Sequence, residues 1–356
     1  MVSESESSLI ERKLDLIQSS ELGLHQAKTK SVSQLKRLKY LCSSSRRLDD
    51  FFENQIEEVK REELNQFTSC KSQQRKKLNS DLTNIRSIVQ NIVNEQYSLL
   101  NNQLLPILEK NNIRFIRREK WSVRQRKWLF DYFTQFLLPV LSPIGLDITH
   151  PFPPIQNKSL CFMISLVGKD AFGRNREFAV VQAPTSLPNI VQLPNHIKGN
   201  GKHDYVFVSS IIHAFVGELF HGLTVLGSYQ FRVTRGNSLS NHYSATTDIN
   251  SSYGIGEIVR LEIDHNCPKK VLNYLRRALH VQLEDVYLIE GPVNLDRIAK
   301  ICDIDESKNG ITFQFYHRIV GLFSPKETTH RPASLILKIK SLLAKSFIKK
   351  FFIVRH

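Results

Sequence analysis

Long uninterrupted apolar runs are missing from this 356-residue sequence. Lysines interrupt even its most apolar stretch, residues 332–356, every few positions, so we expect no membrane-spanning helix. The first residues also lack the basic start and apolar core of a secretory leader, because Glu4, Glu6 and Glu11 fall there. We therefore expect an intracellular, cytoplasmic protein.

Cysteines are few and widely spaced. There are five of them, and no two have the spacing of a zinc or redox half-site: Cys42, Cys70, Cys161, Cys267 and Cys302. We interpret them as reduced, mostly buried thiols.

Complete catalytic motifs are lacking as well. Residues 199–202 (GNGK) are similar to part of a phosphate-binding loop, but His196 and His203 stand where that motif needs Gly and Ser or Thr. Glu218 and His221 have the spacing of half a carboxylate metal site, and no second such pair occurs. We assign no catalytic residue and no metal ligand from the residues alone.

Acidic residues are outnumbered by basic ones. The 49 lysines and arginines exceed the 34 aspartates and glutamates, which gives a formal net charge of +15. This surplus attracts polyanions such as nucleic acid, phosphate chains, nucleotides or an anionic membrane surface.

A basic patch lies at residues 111–127, and aromatic residues are interleaved with its charges. We name five candidates for polyanion binding: Arg114, Arg117, Arg118, Arg124 and Arg126. Such a pattern is typical of a phosphate-binding surface, but also of a solvated helix face with tryptophans in the core. The residues alone leave both interpretations open.

The predicted fold class is α+β. Residues 8–110 contain one proline and one glycine apart from helix-forming residues, and their apolar positions recur at helical spacing. We predict an antiparallel bundle of about three helices there, with breaks at Ser43–Ser45 and Ser69–Gln74. Residues 111–320 form the predicted mixed α/β head domain, and residues 321–356 a basic amphipathic tail.

The head domain alternates strand-like and helix-like stretches. Strands are predicted at Leu160–Val167, Phe178–Gln182, Tyr205–Ser209, Ser228–Thr234 and Glu257–Ile263, and helices at Ser210–Phe220 and Pro268–Leu279. The proline-rich residues 141–154 predict an irregular loop, and the polar residues 236–256 a flexible one.

Several motifs together resemble the bacterial polyphosphate kinases that act through a phosphohistidine. Residues 39–52 (KYLCSSSRRLDDFF) are similar to a signature of that family's N-terminal helical domain. Three further stretches resemble its head domain: residues 141–153 (LSPIGLDITHPFP), residues 231–235 (FRVTR), and residues 259–264 (VRLEID) together with DVY and GPVNL in residues 285–295. The resemblance covers residues 8–320.

The resemblance implies ATP and magnesium as cofactors, polyphosphate as a partner, and a homo-oligomer. It also implies that Tyr40 and Arg47 occupy positions that contact the adenine of ATP, with Arg47 in place of the family's asparagine. In the family, the phosphorylated histidine lies in C-terminal domains that would begin near residue 331. We therefore expect a polyphosphate kinase-like protein that is truncated or frameshifted there, unless the end is a natural divergence, and inactive alone.

A second hypothesis belongs to a different functional class. The chain would be a non-enzymatic basic module that binds polyphosphate, nucleic acid or an anionic membrane surface. Residues 331–356 carry seven lysines and arginines and no acid, and they are amphipathic. They favour either peripheral contact with the inner face of the membrane or packing on the α/β domain.

Overall fold

The computed structural model describes residues 3–56, 72–147, 151–170, 173–199, 203–236 and 256–303. Helices and mixed sheets occur together in these ranges, which confirms the predicted α+β class. The α-helices are α1 (Ser3–Lys28), α2 (Gln34–Phe51), α3 (Ser72–Leu99), α4 (Leu105–Lys110), α5 (Val123–Tyr132), α6 (Val208–Phe215) and α7 (Lys269–Ala278).

The strands form two sheets. They are β1 (Ile113–Phe115), β2 (Ser142–Gly145), β3 (Cys161–Val167), β4 (Phe178–Gln182), β5 (Ile190–Gln192), β6 (His203–Phe207), β7 (Thr224–Arg235), β8 (Ile258–Asp264) and β9 (Val286–Ile289). The larger sheet has the order β2-β4-β3-β7-β8-β9, and the smaller one β1-β6-β5. The pairs β8–β9 and β1–β6 are parallel and the others are antiparallel.

The three long N-terminal helices pack side by side in antiparallel directions. The Arg37 guanidinium donates to the Ala27 carbonyl across the α1–α2 turn, and Ser20 meets Ser44 further from the turn. The Gln96 amide of α3 donates to the Ser44 hydroxyl at 2.9 Å. These contacts, made by small and polar side chains, fix the crossing of α1, α2 and α3.

The predicted helix break at Ser43–Ser45 is wrong. These serines lie inside α2, and Ser44 and Ser45 are buried. The Ser44 hydroxyl donates to the Ser20 carbonyl at 2.8 Å instead of competing with its own backbone, and Gly23 lets α1 approach closely. The serines therefore mark a helix crossing. The actual turn falls at residues 29–33.

The predicted loop at residues 141–154 is also partly wrong, because β2 begins at Ser142. Pro143 pairs with Val181 of β4, and β2 is an edge strand of its sheet. A proline has no N–H to donate, and an edge strand tolerates it because one side needs no partner.

Other differences are smaller. The sequence predicts a strand at Tyr205–Ser209, whereas β6 covers His203–Phe207 and helix α6 already begins at Val208. The short strands β1, β5 and β9 are not predicted, because three or four residues give too little alternation to detect. The predicted loop 236–256, apart from its two end residues, and the tail 331–356 lie outside the described residues.

The larger sheet is covered on both faces, which explains why β3 carries apolar residues on both of its sides. Phe162 and Ile164 pack in a core with α5 and α6, whereas Met163 packs on the other face with Leu275 of α7. Helix α7 is the crossover that connects the parallel strands β8 and β9. Within the described ranges, no helix has both the length and the apolar character needed to cross a bilayer.

Candidate functional site

A buried cluster of four charges joins the N-terminal helices to the larger sheet. Asp49 of α2 accepts two hydrogen bonds from Arg232 of β7, at 2.8 and 2.9 Å. Arg260 of β8 also bonds Asp49, and Glu262 pairs with both arginines. Two positive and two negative side chains offset each other here, so none of the four is left as an isolated buried charge.

The electrostatics of this cluster are dominated by its own members. Burial would raise the pKa of Asp49, but Arg232 and Arg260 outweigh that effect and lower it to about 2. Burial likewise would lower the pKa of Arg232, and the facing Asp49 and Glu262 instead raise it above its ordinary value. Asp49 and Arg232 therefore stay ionised at neutral pH, which suits this pair to hold structure rather than to exchange protons.

Three of the stretches that resemble the polyphosphate kinases meet at this cluster. Asp49 belongs to residues 39–52, Arg232 to residues 231–235, and Arg260 and Glu262 to residues 259–264. These motifs are recognisable in the sequence, but their contact with each other is not predicted there. The feature of the sequence that could have indicated a buried ion-pair network is the presence of charged residues inside otherwise apolar strands.

Tyr40 and Arg47, the predicted adenine contacts, lie on the same side of α2, since seven residues make nearly two helical turns. Arg47 Nη1 donates to the Ser19 carbonyl of α1 at 2.6 Å. Tyr40 is half-buried, and the Lys36 ammonium lies 6.0 Å from its ring centroid. Neither residue lines the cleft described next.

An open cleft of about 1220 Å³ lies between α4, residues 114–125, the start of α6, and the segments that follow β8 and β9. Six cationic side chains line it: Arg114, Arg117, Arg118, Lys120, Arg124 and Lys198. Four carboxylates also line it: Glu109, Glu119, Asp264 and Glu290. Five of the six cations come from one continuous segment, residues 114–124, which forms a basic wall of the cleft. Asp264 and Glu290 come instead from the ends of β8 and β9.

The predicted polyanion-binding arginines take different positions around this cleft. Arg114 forms a two-bond pair with the buried Asp204, at 2.8 Å for each bond, so its charge is already matched. Arg117 and Arg124 are exposed on the basic wall, and Arg118 is half-buried near Glu119. Arg126 lies over the Phe215 ring at 5.3 Å and faces a smaller neighbouring pocket. The structure thus brings four of the five arginines to one cleft.

The aromatic residues of the basic patch serve mainly to fix its backbone. Trp121 and Trp128 pack against the core beside α5 and α6, and Phe115 stacks on Phe207 at 5.0 Å. A capping box between Ser122 and Gln125 starts α5. Both interpretations of the patch therefore describe part of it: its aromatic residues belong to the core, and most of its arginines line the cleft.

The cleft also contains polar residues that are not predicted from the sequence. Ser209 and Ser210 come from the first turn of α6, and Ser228 and Gln230 from β7. The Gln230 amide donates to the Gly291 carbonyl at 2.7 Å. Two adjacent serines just after a strand could have indicated a helix start at this position, because the first turn of a helix often contains such residues.

Gly199 of the loop at residues 199–202 and the pair Glu218 and His221 are not brought together as one site. The Gly199 amide donates to the Asp204 carboxylate, and Glu218 lies on a short 3-10 turn, after which His221 follows. No group of three potential metal ligands occurs in the part of the chain that is described.

Comparison with known proteins agrees with the motifs. A model of the polyphosphate kinase N-terminal domain matches residues 9–116, and a model of the polyphosphate kinase middle domain matches residues 124–301. The polyphosphate kinases of Neisseria meningitidis serogroup A and Pseudomonas aeruginosa are 40% and 39% identical over 301 and 310 residues. Those alignments cover 82% and 83% of this chain but 44% of each relative.

A solved structure shows the same fold. The crystal structure of polyphosphate kinase from Porphyromonas gingivalis aligns with a TM-score of 0.65 and 20% identity, over 89% of this chain and 42% of that one. The chain therefore spans less than half the length of the relatives it matches. From the two domain matches and the motifs that converge on the buried charge cluster, the chain belongs to the polyphosphate kinase family.

Proposed function

We propose that this chain takes part in phosphotransfer from ATP to polyphosphate, and that its cleft binds the phosphate chain. The basic wall of the cleft is the observation that carries the proposal. Arg117, Arg118 and Arg124 provide planar donors that match phosphate oxygens, and two of the three are exposed. Arg114 has a supporting role, because Asp204 already neutralises it.

We also propose that Tyr40 and Arg47 form the adenine contact of ATP. The ring of Tyr40 offers a stacking surface, and the nearby Arg47 lies on the same side of α2. Magnesium would accompany the ATP phosphates, because a divalent cation neutralises the charge that develops in phosphoryl transfer. The predicted homo-oligomer and the cytoplasmic location remain part of this proposal.

The test is a filter-binding comparison of long-chain polyphosphate, single-stranded RNA and anionic vesicles across a salt series. We expect polyphosphate to bind most tightly, and the double variant Arg117→Gln/Arg124→Gln to weaken that binding. The dependence of log K on log salt should flatten by about 0.7 for each arginine that no longer neutralises a phosphate, as for single-stranded nucleic acids.

A matched control removes two charges elsewhere. Lys269 and Arg277 are exposed on α7, on the opposite face of the larger sheet. The variant Lys269→Gln/Arg277→Gln lowers the net charge equally and should leave polyphosphate binding nearly unchanged. Equal losses in both double variants would mean that net charge, not the cleft, attracts polyphosphate.

The second candidate function is non-enzymatic binding, and the acid-free composition of residues 331–356 favours it. Each basic residue near an anionic membrane contributes about 1 kcal/mol. Deletion of residues 331–356 should then abolish vesicle binding and leave polyphosphate binding intact. Tighter binding of RNA than of polyphosphate by the full chain would favour a nucleic-acid module instead.

A further inference from the structure

The first turn of helix α6 faces the cleft without a side-chain cap. Phe207 occupies the N-cap position and cannot accept a hydrogen bond through its side chain, and the first turn contains no acidic residue. The Val208 amide donates to the Asn189 carbonyl. The next two amides, of Ser209 and Ser210, come too early in the helix to reach a carbonyl four residues back within it. Both serines line the cleft.

A second observation comes from β7. Ser228 is 3% exposed, and its hydroxyl oxygen has no hydrogen-bond partner among the described residues. The β3–β7 register pairs Ser228 with Ile164 and Gln230 with Phe162, and Phe162 lines the cleft, so Ser228 projects from the face of the sheet toward it. A buried hydroxyl without a partner is costly, and rotation about χ1 changes where it points.

Helix α6 and Ser228 lie next to each other. His213 of α6 follows Ser209 by one turn, and it lines the cleft together with Ser228. The same two residues also line the smaller neighbouring pocket, together with Arg118 and Arg126. Helix α6, the buried hydroxyl and Arg118 therefore share this part of the cleft wall, and the helix start lines the same cleft one turn before His213.

We propose that the first turn of α6 and Ser228 form a subsite for one phosphoryl group of the ligand in the cleft. The inference deepens the proposed function and rests on it for the presence of a phosphate ligand. A phosphoryl group suits the region because its oxygens accept several hydrogen bonds at once, and the positive end of a helix favours its charge. Arg117 and Arg118 would bind the phosphates that adjoin it.

The sharpest test places a carboxylate where the phosphate would bind. Ser210→Asp puts an acid in the first turn of α6, which suits the helix dipole and should keep or raise the melting temperature. The same carboxylate repels phosphate, so we expect more than tenfold weaker binding of tripolyphosphate by titration calorimetry. The control Asn273→Asp adds the same charge to exposed α7 on the opposite face of the sheet, and should change binding less than twofold.

A second pair of variants tests Ser228 directly. Ser228→Ala removes one hydrogen bond to the ligand and should weaken tripolyphosphate binding about two- to tenfold, without loss of thermal stability. The control is Ser165 on the neighbouring strand β3, whose side chain projects from the other face of the sheet. Ser165→Ala should leave tripolyphosphate binding unchanged. Equal losses for Ser210→Asp and Asn273→Asp, or unchanged binding in Ser228→Ala, would overturn the subsite.

ADP and tripolyphosphate are titrated in parallel, because a phosphoryl group can come from a nucleotide or from an inorganic chain. If Ser210→Asp and Ser228→Ala lose the same fraction of their affinity for both ligands, the subsite recognises phosphoryl groups. A loss of affinity for ADP alone contradicts the subsite. If the unmodified chain binds long-chain polyphosphate but not tripolyphosphate, the subsite fails and the proposed function stands. If it binds neither, the proposed function fails as well.

Discussion

The carboxylate of Asp49 and the guanidinium of Arg232 form a two-bond ion pair across 183 positions of sequence, at 2.8 and 2.9 Å. Asp49 is 3% exposed and Arg232 is 1% exposed. The pair attaches α2 directly to the centre of the larger sheet, beside an apolar core that includes Phe51 of α2 and Val259 of β8. The helical and sheet parts of the protein should therefore unfold together.

Removal of the Asp49 carboxylate should destabilise the protein strongly. In Asp49→Ala, Arg232 and Arg260 remain buried with only Glu262 to offset them, and breaking a buried pair in this way costs about 3–5 kcal/mol. Urea unfolding gives the free energy. The control is Glu95→Ala, which breaks the exposed pair between Lys28 and Glu95 and should cost about 0.2–1 kcal/mol. Similar losses in the two variants would contradict a structural role for the cluster.

The same cluster predicts a loss of stability in acid. Arg232 and Arg260 outweigh the effect of burial and lower the pKa of Asp49 from 3.8 to about 2, so the folded state favours its ionised form. This contribution is fully present above about pH 4 and is lost as the pH falls toward 2. Urea unfolding at steps from pH 6 to pH 2 should show the decline, and Asp49→Asn should show less of it. Parallel curves for the two proteins would refute the assignment.

The fold class and most of the strands were predictable because the spacing of apolar residues along the chain indicates them. Strand β4 (Phe178–Gln182) has the predicted bounds, and β3 and β8 are displaced by about one residue at an end. These strands are rich in β-branched and aromatic residues with clear breaks at their ends, so local sequence determines them.

The contacts of Asp49, Ser44 and Ser228 were not predictable in the same way. A run of serines gives the same local pattern whether it ends a helix or lies where two helices pack closely. Here the positions of Ser20 and Gly23 on α1 show that Ser44 lies at a close contact between helices. The cleft likewise combines segments more than a hundred positions apart, such as Arg117 and Ser228. Sequence patterns show which residues carry charge, but the partner of each charge depends on the tertiary fold.

The crossing of α1 and α2 should be sensitive to side-chain size at Ser44. Ser44→Val removes a hydroxyl that bonds Ser20 and Gln96, and it adds volume where Gly23 approaches closely. We expect a loss of about 2–4 kcal/mol in the free energy of unfolding. Lys39→Val, at an exposed position of the same helix, measures the intrinsic cost of valine, which is below about 0.7 kcal/mol. If Ser44→Val lowers the free energy of unfolding no more than Lys39→Val does, the helix crossing tolerates the larger side chain.

Arg47 should limit the affinity for ATP at the proposed adenine contact. A guanidinium only donates hydrogen bonds, whereas an asparagine amide both donates and accepts, as the edge of adenine requires. Arg47→Asn should therefore tighten ATP binding by about 0.5–1.5 kcal/mol, or two- to twelvefold, in titration calorimetry. The variant also loses the hydrogen bond to the Ser19 carbonyl, so the melting temperature is measured in parallel.

Tripolyphosphate separates this effect from the cleft, because it has no adenine. Its affinity should be the same for the original chain and for Arg47→Asn, since Arg47 does not line the cleft. Tyr40→Leu removes the stacking surface and should weaken ATP binding in both backgrounds while tripolyphosphate binding stays unchanged. If Arg47→Asn binds ATP no more tightly and keeps its melting temperature, adenine does not contact α2 at this position.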